Sequence, residues 1–354
     1  MRAVALTSLL ALAVLATSAV LTNCAPSSFK PEVRPLPADP MEYDPIERYD
    51  VMPIPEGNPI TAEKAALGRQ LYYDYRLSGD GSRSCYSCHV CEKGLTDGLP
   101  KAIGAFDKHL SRSSPTLWNI GYHSEFYWDG RADSLEKQAT AAWKGGNMGA
   151  KDTAPVLAML AGSPGYAAQF ESVFGAAPSE ENVAQALATY MRTIISDDTD
   201  WDRWQKGDES AVSDKAKRGY EVFQAFGCNE CHAGVLFTDQ QFHNVGIGMG
   251  AESPDVGRFK VTQKDQDMGA FKTPTLRDIT RSAPYFHDGS VANLKKAVQL
   301  MAMGGMPNAH KSPKLKQNQA TDEQLSDLLA FLESLEQPCD DSEPELPEAG
   351  PAGS

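Results

Sequence analysis

The chain has 354 residues, with 33 lysines and arginines against 47 aspartates and glutamates, which gives a formal net charge of -14. This acidity argues against a phosphate-binding surface, so no nucleic-acid partner is predicted. With 41% hydrophobic and 23% charged residues the chain can build folded cores, and its length suggests two domains. Seven cysteines are too few for a small disulfide scaffold, so their spacing is more informative than their number.

The N-terminal segment is almost continuously apolar over residues 3–21, after a single positive residue, Arg2. It predicts a secretory signal over residues 1–23, and Leu21-Thr22-Asn23-Cys24 is similar to a lipobox in which Cys24 becomes the lipidated first residue. An ordinary signal peptide cleaved nearby and a retained transmembrane helix are the alternatives. The expected location is the periplasm, with attachment to the membrane through an N-terminal lipid.

Residues 24–60 are rich in proline and lack periodicity, which predicts an extended tether or a wrapping arm. A helical body begins at Thr61, a residue that can cap a helix, and a second stretch, Glu180 to Ile195, repeats apolar residues at helical spacing. Strand-like alternation is scarce, so the fold class is all-α. The tail, residues 336–354, is acidic and proline-rich and is expected to be solvated apart from Cys339.

Two pentapeptides carry the chemistry: Cys85-Tyr86-Ser87-Cys88-His89 and Cys228-Asn229-Glu230-Cys231-His232. In a Cys-x-x-Cys-His motif the two thiols form thioethers with haem, and the adjacent histidine ligates the iron. A zinc site and a dithiol redox pair are the alternative interpretations. Two such motifs in an exported chain favour two covalently bound c-type haems.

An internal repeat surrounds these motifs. Its matching segments are Ser114-Pro115-Thr116-Leu117, Trp128-Asp129-Gly130 and Leu135 in the first half, and Thr273-Pro274-Thr275-Leu276, His287-Asp288-Gly289 and Leu294 in the second. The proline and the aspartate are 14 residues apart in both halves (129 minus 115, 288 minus 274), and the aspartate and the leucine are 6 apart. Two equivalent haem units are therefore predicted.

The sixth ligand of each iron decides what the haem can do. In the second unit Met301 follows the aspartate by 13 residues, and a thioether ligand suits an electron-transfer haem. Methionines at this spacing, including Met303 and Met306, also serve as core filler. The equivalent position in the first unit is Ala142, which cannot ligate iron.

Several further motifs make the chain resemble the bacterial di-haem cytochrome c peroxidases and the related MauG enzymes, which mature tryptophan tryptophylquinone. They are Leu67-Gly68-Arg69-Gln70-Leu71-Tyr72, Asp97-Gly98-Leu99-Pro100, Trp128-Asp129-Gly130-Arg131-Ala132, Gln138-Ala139, Phe242-His243-Asn244 and Ala283-Pro284-Tyr285-Phe286-His287-Asp288-Gly289. The resemblance covers Thr61 to Leu335 and implies two cytochrome c-like α-helical domains with long loops. It places a peroxide-reacting haem in residues 61–205 and an electron-transfer haem in residues 206–335.

The resemblance also assigns roles to single residues. It implies that His89 and His232 are proximal ligands and that Met301 is the distal ligand of the second haem. Trp128 matches a tryptophan between the haems and is a candidate electron relay; a buried core aromatic is the alternative. Gln138 matches a glutamine of the peroxide pocket. An interdomain calcium would be held at Ser113, Ser282 and Pro284, although Ser113 replaces the family's asparagine.

Two positions depart from the family pattern. A distal histidine found in many members is replaced by Ala105, which predicts an open first iron that needs no reductive activation. The pocket glutamate falls at Met148, or at Asn147 with a shift of one residue, so the expected proton shuttle is absent. His109 could occupy the iron after a loop rearrangement, but a surface loop histidine is the simpler interpretation.

The remaining histidines and cysteines are weaker candidates. His243 is expected to bond a haem propionate or the backbone near the second haem, and His123 and His310 are interpreted as polar surface residues. Cys91 and Cys339 could form a disulfide in an oxidising compartment or remain free thiols.

These observations favour an oxidoreductase that reduces hydrogen peroxide with electrons from a small cytochrome c or cupredoxin. The overall acidity suits a basic donor. The alternative is a MauG-like oxidase that modifies Trp or Tyr of a partner protein. A pure electron-transfer cytochrome needs two six-coordinate irons, which Ala105 and Ala142 disfavour. A homodimer is also expected from the resemblance.

Overall fold

The computed structural model describes residues 52–339 and 342–349. The predicted signal, the lipidated Cys24 and most of the proline-rich segment lie outside these residues. The helices are α1 (Ala62–Tyr73), α2 (Leu135–Lys144), α3 (Ala154–Gly162), α4 (Pro164–Phe174), α5 (Glu180–Arg192), α6 (Asp200–Gln205), α7 (Asp214–Ala225), α8 (Phe259–Thr262), α9 (Leu294–Ala302) and α10 (Asp322–Glu333). Two short antiparallel strands, β1 (Phe242–His243) and β2 (Phe271–Lys272), complete the fold. The all-α prediction is confirmed.

Two hydrophobic cores organise the helices. The first contains residues of α1 to α5 and of the loops between them. The second contains residues of α6, α7 and α10, including Trp201, which lies before the predicted domain boundary at residue 205. We call α1–α5 with their loops the first unit, and α6–α10 with theirs the second unit. None of the described helices is long and apolar enough to cross a membrane.

The pairing of long helices is the same in both units. Helix α1 packs on α5, and α7 packs on α10. A glycine lies at each crossing: a Cβ at Gly68 would collide with the carbonyl oxygen of Ala186, and one at Gly219 with that of Asp327. Each glycine therefore lets two backbones approach more closely than any other residue would allow.

The internal repeat is visible in the backbone as well. The Asp-Gly turns are closed by equivalent antiparallel bridges, Phe126 with Ala132 and Tyr285 with Val291. Tyr127 and Phe286 both adopt left-handed φ values, 68° and 69°, at the same place in the turn. Equivalent sequence segments thus fold into equivalent loops, and each loop leads into a helix, α2 or α9.

The N-terminal segment that is described, residues 52–60, is an arm packed on the body. Met52 is buried with Tyr122 of the first unit and with Val235 and Leu236 of the second. Asn58 is buried as well, and its amide nitrogen donates to Glu136 Oε1 at 2.7 Å. Of the two sequence interpretations, the wrapping arm is the one that holds for these residues.

The described residues of the C-terminal tail are exposed or half-buried, as their composition predicts, but they are also attached to the first unit. Cys339 forms a disulfide with Cys91 of the first unit, so the expected bridge is confirmed. Beyond it, main-chain oxygens of Glu345 and Pro347 accept hydrogen bonds from Gln70 (2.9 Å) and Arg76 (2.9 Å). The tail is therefore exposed to solvent but attached to the first unit through its backbone, which side-chain composition does not reveal.

Removal of this disulfide should loosen the tail. We expect Cys339→Ser to lower the free energy of unfolding by about 2–4 kcal/mol, since the bridge restricts the unfolded chain. Denaturant titration of the variant and of the wild type, each with and without a thiol reductant, measures the effect. The reductant should shift only the wild type; equal midpoints for variant and oxidised wild type would contradict the prediction.

Candidate haem sites

A large cavity in the second unit brings the predicted haem residues together. Cys228, Cys231 and His232 lie on its wall, and so does Met301 of α9. The rest of the lining is mostly apolar and includes Phe223, Phe226, Val245, Pro274, Leu276, Leu294, Ala297, Val298, Leu328 and Leu332. An apolar cavity with two thiols and an imidazole suits a large flat apolar group that is attached covalently.

The two CxxCH histidines are oriented in the same way. His89 Nδ1 lies 3.0 Å from the carbonyl oxygen of Leu95, and His232 Nδ1 lies 3.1 Å from that of Phe237. Because each Nδ1 is engaged by a carbonyl, Nε2 of each ring is left to act as the ligand. Burial lowers the pKa of both imidazoles, which keeps them neutral as an iron ligand must be.

The four motif cysteines lie in apolar surroundings. Burial raises the pKa of Cys85 to about 12 and those of Cys88 and Cys228 to about 11. A large apolar cavity beside the motif is what a haem requires, whereas a zinc ion or a dithiol pair has no use for one. The donor set of the second unit, two thiols, an imidazole and a thioether that line one cavity, fits haem c.

Met301 differs in its surroundings from the two nearby methionines, Met303 and Met306. Helix α9 begins after Asn293, whose side chain accepts a hydrogen bond from the Lys296 backbone at 3.0 Å. This register turns Met301 toward the cavity wall. Met303 and Met306 are instead 58% and 48% exposed, so of these three methionines Met301 is the one that lines the same cavity as His232.

The distal side of the first unit carries no ligand at the positions singled out by the sequence. Ala105 is buried, and its backbone nitrogen donates to the carbonyl oxygen of Asn147 at 2.9 Å. Ala142 lies on α2, which also carries the half-buried Gln138. His109 is exposed on the loop that follows Ala105.

The two positions considered for a pocket acid differ in their surroundings. The side chain of Met148 is buried in the first core. Asn147 is half-buried and lies next to Ala105. Of the two positions, Asn147 is therefore the one that could hold a polar side chain without burying it in the first core.

Trp128 lies where the units meet. Its indole Nε1 donates to the carbonyl oxygen of Ser113 at 3.0 Å, and its own carbonyl accepts from the Lys272 backbone at 2.8 Å. It belongs to the first unit, yet it lines the cavity of the second. Trp128 is therefore held by both units.

The residues expected to hold calcium also line this cavity. Ser113 Oγ donates to the carbonyl oxygen of Phe286 at 2.8 Å, and Ser282 Oγ donates to that of Ile279 at 3.1 Å. Pro284 follows a cis peptide bond in the same loop. The Ser113 contact joins the two units, because Phe286 belongs to the second.

His123 is not the polar surface residue that the sequence predicts. It is buried rather than exposed, and its Nδ1 lies 2.9 Å from the ammonium group of Lys272, which is buried too. The surface interpretation was wrong because the partner is 149 residues away, across the interface between the units. Burial lowers the pKa of Lys272 to about 7, and it lowers that of His123 well below the ordinary value.

Other polar residues near the haem motifs have specific partners. His243 Nε2 lies 2.8 Å from Asp239 Oδ2, and this bond raises the pKa of His243 to about 9. His310 lies 3.8 Å from Asp265 at the surface. Asp97 belongs to the Asp97-Gly98-Leu99-Pro100 motif and has no role predicted from the sequence. Its side chain is buried, and its Oδ2 has no hydrogen-bond partner in the described part of the chain.

The comparisons with known proteins agree with this geometry. A family model described as "Di-haem cytochrome c peroxidase" matches residues 62–210, and one described as "Cytochrome c" matches residues 216–336. A cytochrome-c peroxidase of Denitromonas iodatirespirans is 37% identical over 340 residues, which cover 86% of this chain and 90% of that protein. The methylamine utilization protein MauG of Methylorubrum extorquens is 39% identical over 311 residues, 85% of this chain and 86% of that protein.

One solved structure is similar over most of the chain. It is described as a MauG-like protein associated with microbial copper homeostasis, with a TM-score of 0.75 and 32% identity over 80% of this chain and 92% of that one. Fold, motifs and relatives together define an oxidoreductase with two covalently bound haem c groups. The chain belongs to the family of di-haem cytochrome c peroxidases and MauG proteins.

Proposed function

We propose that this enzyme reduces hydrogen peroxide to water with electrons delivered by a small redox protein. Each peroxide takes up two electrons and two protons and yields two waters. The observation that carries the proposal is the asymmetry between the units: Met301 lines the same cavity as His232 in the second unit, whereas Ala142 stands at the equivalent position of the first. One iron would have two protein ligands and the other a free side.

The two haem sites would have different roles in this reaction. Haem iron supplies one-electron redox chemistry when bound, with a potential that its axial ligands set. His232 and Met301 would hold the iron that receives electrons, and His89 would hold the iron of the peroxide pocket. Trp128, held by both units, is the proposed relay. Gln138 and Asn147 would orient peroxide and ordered water in the first pocket.

A MauG-like activity is the second candidate. It is favoured by the 39% identity to a MauG protein and by the absence of an acid at Asn147 and Met148. In that case the same pair of haems would oxidise Trp or Tyr of a partner protein. Peroxide consumption driven by a reduced small cytochrome c or cupredoxin, without any protein substrate, distinguishes the first function from the second.

The open first pocket gives a direct test. Because neither Ala105 nor Ala142 can bind iron, the fully oxidised protein should react with peroxide as isolated. Stopped-flow mixing of the diferric enzyme with peroxide measures this reaction, and the EPR spectrum of the resting protein should show a high-spin haem. A requirement for prior reduction, with His109 found on the iron, would overturn the open-pocket proposal.

Three further proposals rest on the sequence and the family. Export to the periplasm with a lipid on Cys24 is tested by metabolic labelling with a fatty acid. An interdomain calcium at Ser113, Ser282 and Pro284 is tested by metal analysis before and after chelation. A homodimer is tested by the mass of the protein in solution.

A further inference from the structure

A basic surface covers the cavity of the second unit. Residues 289–320 contain five lysines and no aspartate or glutamate, in a chain whose net charge is -14. The corresponding stretch of the first unit, residues 130–161, has four basic and three acidic residues. Since both stretches belong to the same repeat, the excess of positive charge is a property of the second unit.

Only one layer of structure separates this surface from the cavity. Helix α9 turns Ala297 and Met301 toward the cavity and leaves Lys295 and Lys296 exposed. Neither lysine takes part in an ion pair within the described residues. Met303, at the end of the helix, is 58% exposed. The outer face of the cavity wall is therefore positive and carries an exposed thioether.

The same surface extends to the haem-attachment motif. Lys314 Nζ donates to the carbonyl oxygen of Glu230, inside the motif, at 3.1 Å, and forms an ion pair with Asp239 at 3.2 Å. Lys316 forms an ion pair with the Glu230 side chain, and Leu315 between the two lysines lines the cavity. Lys314 and Lys316 therefore lie beside the haem-attachment motif at the protein surface.

The acids in contact with this surface do not cancel its charge. Asp239 and Glu230 pair with Lys314 and Lys316, and Asp265 lies beside His310. Two of the four exposed lysines are thus paired with acids, and the two lysines of α9 remain without a carboxylate, so the surface keeps a positive charge. The same segment carries Met303 and Met306, two of the few large apolar side chains exposed in the described chain.

We infer that this surface, defined by Lys295, Lys296, Lys314, Lys316 and the exposed Met303 and Met306, is the docking site of a small c-type cytochrome with an acidic rim. The inference rests on the proposed function, because it identifies the donor's charge. The lysines and the exposed methionines of this surface are complementary to a donor surface that has an apolar centre and an acidic rim. Methionine side chains are flexible and can adapt to the shape of such a partner. The net charge of the whole chain predicts a basic donor, but a donor meets the local surface, and here the local sign is opposite.

The test compares two double variants with the same change of charge. Lys295→Glu with Lys296→Glu reverses the docking surface, and Lys151→Glu with Lys215→Glu reverses two exposed lysines elsewhere. Association with a small c-type cytochrome of net negative charge is followed by surface plasmon resonance from low to high salt, with a basic cytochrome as the comparison. Retention of both haem spectra verifies that each variant is folded.

We expect the first variant to associate with the acidic cytochrome about tenfold or more slowly at low salt, because steering by complementary charge raises association rates by about 10 to 1,000-fold. The difference should vanish at about 1 M salt, where the screening length is about 3 Å. The control variant should behave as wild type. Equal effects of the two variants, or preferential binding of the basic cytochrome, would overturn the inference.

A separate assay isolates the proposed function. Peroxide reduction with a small uncharged reductant does not use the docking surface, so all three proteins should perform it equally. If the wild type fails in this assay while lysine-dependent binding of the acidic cytochrome persists, the peroxidase proposal falls and the docking inference stands. If turnover is normal and binding ignores Lys295 and Lys296, the docking inference falls.

Discussion

Met301→Ala should remove the thioether-to-iron charge-transfer band of the second haem and lower its reduction potential. The expected shift is on the order of 0.1 V, within the roughly 0.8 V range that axial ligands span. A lower potential makes the second haem a poorer acceptor, so donor-driven peroxide reduction should fall as well. Optical titration at controlled potential measures the band and the potential in the same sample.

Matched variants exist on the same segment. Met303 and Met306 are exposed, so Met303→Ala and Met306→Ala should keep the band and the potential even if they weaken donor binding. Loss of the band in Met306→Ala with retention in Met301→Ala would mean that the loop after α9 rearranges when haem is bound and that the register described here is not the ligating one.

Asn147→Glu should accelerate the reaction of the oxidised enzyme with peroxide by about 100-fold or more, since a positioned acid or base contributes roughly 100 to 10,000-fold. Asn147 is suited to the change because it is half-buried and its carbonyl oxygen accepts a hydrogen bond from the backbone of Ala105, the position at which the family has a distal histidine. Stopped-flow rates across a pH series would show both the acceleration and a new titrating group.

The control is Asn147→Gln, which adds the same length without an ionisable group. It should leave the rate and the pH profile as in the wild type. If Glu and Gln variants react equally, residue 147 does not face the peroxide, and Gln138 with ordered water must move the proton unaided. Met148→Glu is a poor alternative because it would place a carboxylate in the first core.

The parts of the fold that could be predicted from the sequence are those whose spacing is set by covalent chemistry or local geometry. Both CxxCH motifs, the repeated turns and the Thr61 cap all appear as expected, with Thr61 accepting a hydrogen bond from the Lys64 backbone at 3.2 Å. In each case the residues that interact lie within a few positions of one another, so the sequence pattern contains the whole interaction.

Long-range pairing could not be predicted in this way. His123 is buried only because Lys272 comes from the other unit, and Asp278 is buried where Trp118 Nε1 donates to it at 2.8 Å. The net charge likewise carries no information on where the charges lie. A sum over 354 residues conceals a stretch, residues 289–320, that has five lysines and no acidic residue.

Each end of the described chain contacts the unit that is farther from it in the sequence. The arm precedes the first unit but packs Met52 against Leu236 of the second, and the tail follows the second unit but is joined to Cys91 of the first. A hinge motion that separated the units would have to break both attachments, the Met52 contact and the Cys91–Cys339 disulfide. Under the proposed relay through Trp128, the two attachments would keep the distance between the units constant, so a donor would change how often electrons arrive and not how far they travel inside the enzyme.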